Sequence, residues 1–207
     1  MSAPDLGLLV QRRFGPIFTV QFLGAFNDNL LKFAMLFLAN FGIYASAPEQ
    51  AKLLAAIATG LFILPYFLFS ALAGQIADTL DKARLIRWIK GAEVAIMGVA
   101  LVGFWTTSIP LLLTSLFLMG LHSTLFGPVK YSILPQHLRD DEVMGGTGLI
   151  EGGTFLAILG GQLLAGLIPP WEAGIAAMIV AVAGFAISFA IPPAPPIRGE
   201  HHIDWNL

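Results

Sequence analysis

The chain has 207 residues, of which 57% are apolar and 12% charged, with a mean hydropathy of +0.79 and a formal net charge of -2. Soluble domains carry about 25% charged residues, so a soluble fold is excluded, and the lack of net positive charge argues against a nucleic-acid partner. Without cysteine there are no disulfides and no thiolate metal sites.

At about 20 residues per membrane-crossing helix, the length accommodates about six spans with short loops. The amino terminus, MSAPDLGLLVQRRFGP, lacks the basic-then-apolar order and small-residue cleavage site of a secretory signal. Met1 is therefore read as retained and residues 1–13 as cytoplasmic. The first span, residues 14–41, is apolar but interrupted by Gln21, Asn27, Asp28, Asn29 and Lys32. The second, residues 53–77, is uncharged and holds Pro65, which a membrane helix tolerates when neighbours satisfy the freed carbonyl.

The third span covers residues 85–105 and carries Glu93; the fourth covers 110–134, with Ser108 before it, Pro110 suited to a first turn, and His122 and Lys130 inside. The fifth, residues 142–168, is glycine-rich and contains Glu151, and the sixth, residues 171–191, has no charge after Glu172. Residues 192–207 form a polar, proline-rich linker. Short loops favour antiparallel neighbours in one bundle.

Lysine and arginine placement sets the orientation. Arg12, Arg13, Lys82, Arg84, Arg87, Lys90, Arg139 and Arg198 fall on one side and Lys52 on the other, which predicts both termini in the cytoplasm. Trp105 and Trp171 fall at outer helix ends and Trp88 near an inner one, as interfacial anchors do.

Ionisable groups inside a bilayer are costly, so Asp28, Lys32, Glu93, Lys130 and Glu151 are the candidates for function. Asp28 lies near the middle of its span, and Gln21, Gly24, Asp28 and Lys32 share one helical face. An intrahelical Asp28 to Lys32 pair would neutralise both charges without explaining why they are there. The succession Asn27, Asp28, Asn29 suits a cation or a polar headgroup. Glu151 lies about 14 Å along its helix; it is open to a substrate ammonium, a coupling cation or a proton, or equally to an ion pair with Lys32 or Lys130 that fixes packing. Glu93 reads as structural, Lys130 as able to snorkel to the interface, and His122 as a hydrogen-bonded helix residue.

In the fifth span, Gly145, Gly148 and Gly152 make a narrow stripe with a GxxxG pair, and close helix packing is expected there. Residues 74–84 join spans two and three, where Gly74, Asp78, Lys82 and Arg84 are either a charge latch or a solvated positive-inside turn. His201, His202 and Asp204 have a metal-like composition but sit in a polar tail. There is no GxSxG, P-loop or dinucleotide fingerprint, and His137 is followed five residues on by Glu142 where an acyltransferase-type pairing needs aspartate.

Three stretches carry a family likeness: Phe22-Leu23-Gly24-Ala25-Phe26-Asn27-Asp28-Asn29 with Lys32; Gly127-Pro128-Val129-Lys130-Tyr131-Ser132-Ile133-Leu134-Pro135; and Gly148-Leu149-Ile150-Glu151-Gly152-Gly153. The chain resembles bacterial lysophospholipid transporters of the major facilitator superfamily, including those fused to an acyltransferase and an acyl-carrier-protein synthetase. The 74–84 loop resembles the superfamily's signature between helices two and three, with Thr79 in place of a basic residue and Asp81 in place of glycine.

The resemblance implies an all-α, six-helix transmembrane bundle, half of a major facilitator fold built as a three-plus-three inverted repeat. It implies movement of lysophospholipid, chiefly lysophosphatidylethanolamine, across a bacterial inner membrane for reacylation, driven by Na+ or H+ with no other cofactor. Asp28 with Asn27 and Asn29 would bind the headgroup ammonium or coupling cation, Glu151 would support it, and Lys130 would meet the phosphate. The expected partners are the lipid substrate, membrane lipids, and a carboxy-terminal half or a second copy. One rival is the non-catalytic membrane portion of a fused 2-acylglycerophosphoethanolamine acyltransferase and acyl-ACP synthetase. Another is a major facilitator carrier of a different substrate, and a third is a non-transporting scaffold.

Overall fold

The computed structural model describes residues 6–196. Arg198, His201, His202 and Asp204 fall outside the described residues, as does most of the proline-rich linker.

The described residues form helices throughout. After a 3-10 turn at Leu6–Val10 come α1 (Gly15–Phe37), α2 (Pro48–Thr79), α3 (Lys82–Trp105), α4 (Ile109–Ser132), a short α5 (Leu134–His137), α6 (Asp140–Leu167) and α7 (Pro170–Ser188). Proline opens several of them: α1, α2, α4 and α7 each hold one in the first two positions, where the missing N–H would be unpaired anyway. Asp81 caps α3 by accepting the Arg84 amide at 2.8 Å. Glu142 folds back to accept the Arg139 amide at 2.9 Å, and Asp140 and Asp141 add negative charge where the dipole of α6 is positive. At its far end α1 widens into a π-helical turn, Leu38–Ile43.

Five of the long helices, counting α1 with its π-helical turn, are long and apolar enough to cross a membrane: α1, α2, α4, α6 and α7. The 24 residues of α3 carry Lys82, Arg84, Arg87, Lys90 and Glu93, and this helix packs in the same bundle against α4 and α7. The other main pairings are α1 with α6, α7 and α4, and α2 with α4. Exchanging the first three long helices for the last three turns α1·α6 into α4·α2 and α1·α7 into α4·α3, and returns α3·α7 and α1·α4 to themselves. These main pairings therefore have the symmetry of a three-plus-three repeat.

The two equivalent seams, α1·α6 and α2·α4, are each closed by a glycine at backbone contact. A Cβ on Gly161 would run into the carbonyl oxygen of Phe26, and one on Gly120 into that of Phe62. The close packing expected at Gly148 and Gly152 lies elsewhere, since nothing approaches within 4 Å of a Cβ at either position. The face of α6 that meets α1 runs through Gly146, Ile150, Gly153, Ala157 and Gly161, which are buried. A GxxxG spacing marks a smooth face but not which face is used.

The core divides in two. One apolar cluster gathers Phe14, Ile17, Ile86, Val129, Ile133 and Leu138, and the other Leu31, Met35, Met97, Leu116, Met119 and Ala177. The polar residues lie between them along α1, α3 and α4. That intermediate layer holds the candidate site.

Candidate functional site

A cavity of about 450 Å³ opens between the helices at this level. Gln21, Asp28 and Lys32 reach it from α1, and Ser123 and Lys130 from α4. Phe62 and Tyr66 of α2, Lys90 of α3, and Thr154 and Ile158 of α6 complete much of the wall. Helical spacing accounts for the α1 contribution, because positions 21, 24, 28 and 32 stack on one face.

Asp28 accepts a hydrogen bond through Oδ2 from the Ser123 hydroxyl at 2.7 Å, which ties α1 to α4 across the cavity. Its Oδ1 is buried and has no hydrogen-bond partner among the described residues. An Asp28 to Lys32 ion pair does not form. The Lys32 ammonium lies 5.4 Å and 5.6 Å from the ring centroids of Phe33 and Phe62, a cation–π arrangement that holds the charge without cancelling it. Asn29 lines the cavity but donates its amide to the Ala25 carbonyl at 2.9 Å.

Asn27 does not line the cavity. It is fully buried and donates to Glu93 Oε1 at 2.9 Å and to the Ala177 carbonyl at 3.1 Å. Glu93 in turn pairs with Lys90, three residues earlier on α3, and its Oε2 lies 3.2 Å from His122 Nε2. Lys90 fits because two facing helices present glycine. A Cβ on Gly184 would come within 2.8 Å of Lys90 Cε, and one on Gly24 within 3.5 Å of its ammonium. Glu93 thus gathers α1, α3 and α4 around one carboxylate, in keeping with a structural role.

Near the edge of the cavity, Lys130 lies 3.5 Å from Glu151, and the Tyr131 hydroxyl donates to the same carboxylate. The Glu151 side chain is 41% exposed, so this α4 to α6 pair stands at an open margin. Of the two pairings open for Glu151 in sequence, the structure holds the one with Lys130.

In the 74–84 segment, Asp78 and Arg84 are exposed and Lys82 is buried, while Gly74 has open space around it. Asp81 receives the Ala194 amide at 3.2 Å, and the Lys82 amide donates to the Ala194 carbonyl at 2.9 Å. The aspartate standing where glycine is usual therefore caps α3 and fastens the chain that follows α7. On the same side, Arg13 makes a two-pronged pair with Glu142, at 2.6 and 2.8 Å, joining the start of α1 to that of α6. The Glu142 carboxylate pushes the Arg13 guanidinium above its ordinary pKa.

Lys90, Ser123, Phe62 and Tyr66 are cavity residues that sequence reasoning did not single out. Lys90 had a readable signal in its three-residue spacing from Glu93, whereas the other three depend on how α2 and α4 are set against α1. Among the described residues, no group of three or more His, Asp or Glu side chains could hold a metal ion.

Long apolar helices gathered around a cavity lined by charged side chains define an all-α, multi-pass membrane protein. Residues 17–204 match the family model of the Major Facilitator Superfamily, and the chain belongs to that superfamily. The lysophospholipid transporter LplT of Cronobacter sakazakii is 29% identical over 177 residues, which cover 86% of this chain and 42% of that protein. LplT of Escherichia coli is 31% identical over 173 residues, covering 84% and 39% respectively. LplT of Photorhabdus laumondii is 30% identical over 205 residues, covering 96% and 47%. The chain spans somewhat under half the length of these curated relatives. No solved structure matches it.

Proposed function

We propose that the chain is the amino-terminal half of a carrier for lysophospholipids, chiefly lysophosphatidylethanolamine, in a bacterial inner membrane. All six long helices cross the bilayer in this reading, with both termini in the cytoplasm as the lysine and arginine distribution favours. A second half, or a second copy, closes the other side of the cavity, and rocking of one half against the other exposes the cavity to each leaflet in turn. Sodium or proton movement drives the cycle, and the imported lipid goes to reacylation. Fusion to an acyltransferase would add catalysis outside these helices.

The observation that carries this reading is the Asp28 carboxylate: it lies near the middle of α1 in the cavity wall, is held by Ser123, and has no lysine within ion-pair distance among the described residues. A carboxylate without a cationic partner at that depth is costly to keep ionised unless a cation visits it. The ethanolamine ammonium and the coupling cation are both such visitors. The names of the relatives supply the lipid class.

The test is binding of labelled lysophosphatidylethanolamine to the 207-residue chain in lipid nanodiscs. Saturable binding that weakens about tenfold or more in Asp28→Asn supports the reading, that being the scale of one charge-assisted contact. Wild-type binding no greater than that of empty nanodiscs would sink it.

A further inference from the structure

We infer that the anion-binding group of the cavity is Lys32, so that Asp28 and Lys32 together form a dipolar seat for a zwitterionic headgroup. This rests on the lipid-carrier reading above and deepens it.

Four charged side chains line the cavity: Asp28, Lys32, Lys90 and Lys130. Two of the cations are already spent. Lys90 is fully buried against Glu93, and Lys130 lies 3.5 Å from Glu151. For either lysine to meet a phosphate, a carboxylate would have to give up its partner in a poorly solvated setting, and an uncompensated buried charge is costly.

Lys32 has no such tie. No carboxylate lies within ion-pair distance of it among the described residues, and its ammonium rests between the Phe33 and Phe62 rings. An aromatic platform steers a cation into place while leaving its N–H groups free to donate. A phosphate arriving there gains a charge-assisted bond and displaces no anion.

Position completes the argument. Lys32 and Asp28 are one helical turn apart on the cavity face of α1, about 6 Å along the axis. In an ethanolamine phosphate the ammonium and phosphate are separated by two carbons, so one headgroup lying along α1 reaches both. The Ser123 hydrogen bond holds the anionic end of the seat. The axis then runs from ammonium at Asp28 to phosphate at Lys32, and Lys130 keeps its place with Glu151.

Three single-chain amphiphiles of equal acyl length separate the contributions in nanodisc binding: lysophosphatidylethanolamine, lysophosphatidic acid, and a long-chain primary amine. Lys32→Gln is expected to weaken the two phosphate-bearing ligands about tenfold and to leave the amine unchanged. Asp28→Asn should weaken the two amine-bearing ligands and spare lysophosphatidic acid. Lys130→Gln should show no phosphate-specific loss. A Lys32→Gln effect equal for all three ligands, or a phosphate-specific loss in Lys130→Gln in its place, would overturn the assignment while leaving the carrier reading intact. Failure of the wild type to bind lysophosphatidylethanolamine at all would remove both. Thermal unfolding of each variant beside the wild type shows that the chain still folds.

Discussion

Asn27 and Asp28 are neighbours on α1, yet the first turns into a closed cluster around Glu93 and the second into an open cavity beside Ser123. In the closed cluster every charge meets its complement: Lys90 lies on Glu93, His122 approaches the same carboxylate, and Asn27 donates to its other oxygen. In the cavity, Asp28 and Lys32 stay uncombined although they are one turn apart. A helix can thus bury a charge for architecture or present one for a ligand within a single residue step. Whether the charge is neutralised inside the protein distinguishes the two uses.

The sharpest way to break this contrast is at Glu93. Glu93→Gln strands the Lys90 ammonium between α1, α3 and α7, and losing one partner of a buried pair costs about 3–5 kcal/mol. Thermal unfolding in detergent should report that loss as a large drop in midpoint. The double variant Lys90→Met with Glu93→Gln should recover most of it, because no unpaired charge remains. Wild-type stability in Glu93→Gln alone would mean that the cluster is not closed.

An intermediate effect is expected at the seam that sets the rotation of α1. Gly161→Ala forces a methyl group onto the Phe26 backbone, and overpacking of this kind costs about 1–3 kcal/mol. Gly152→Ala faces open space and should be neutral, or stabilising by up to about 1 kcal/mol from helix propensity. Unfolding midpoints of the two variants compared side by side check the difference; equal losses would place the packed face wrongly.

The all-α membrane class was legible from hydropathy, and family membership from three motif stretches. Helical spacing put Gln21, Gly24, Asp28 and Lys32 on one face, and the structure turns that face to the cavity. What a single helix could not reveal was its partners. Asp28 meets Ser123 across 95 positions of chain and Asn27 meets Glu93 across 66, and those pairings depend on the axial register of packed helices. The same limit explains Gly148 and Gly152, where spacing shows that a face is smooth but not that a neighbour lies against it. Glu93 had few polar neighbours in sequence because all but Lys90 arrive from other helices.

A small stability effect should also fall at Asp28, although Asp28→Asn should clearly weaken binding of amine-bearing ligands. Asn has nearly the same shape, and its Oδ1 can still accept from Ser123, so Asp28→Asn keeps the α1 to α4 tie and loses only the charge. That charge has no ion-pair partner among the described residues, and removing it from a bilayer interior relieves a desolvation cost. The net shift should be under about 1 kcal/mol, with the sign favouring the variant. A midpoint at or slightly above wild type, combined with loss of amine-bearing ligands, marks a residue kept for what it binds. A drop comparable to that of Glu93→Gln would instead show that Asp28 belongs to the closed cluster, and the contrast between the adjacent side chains would disappear.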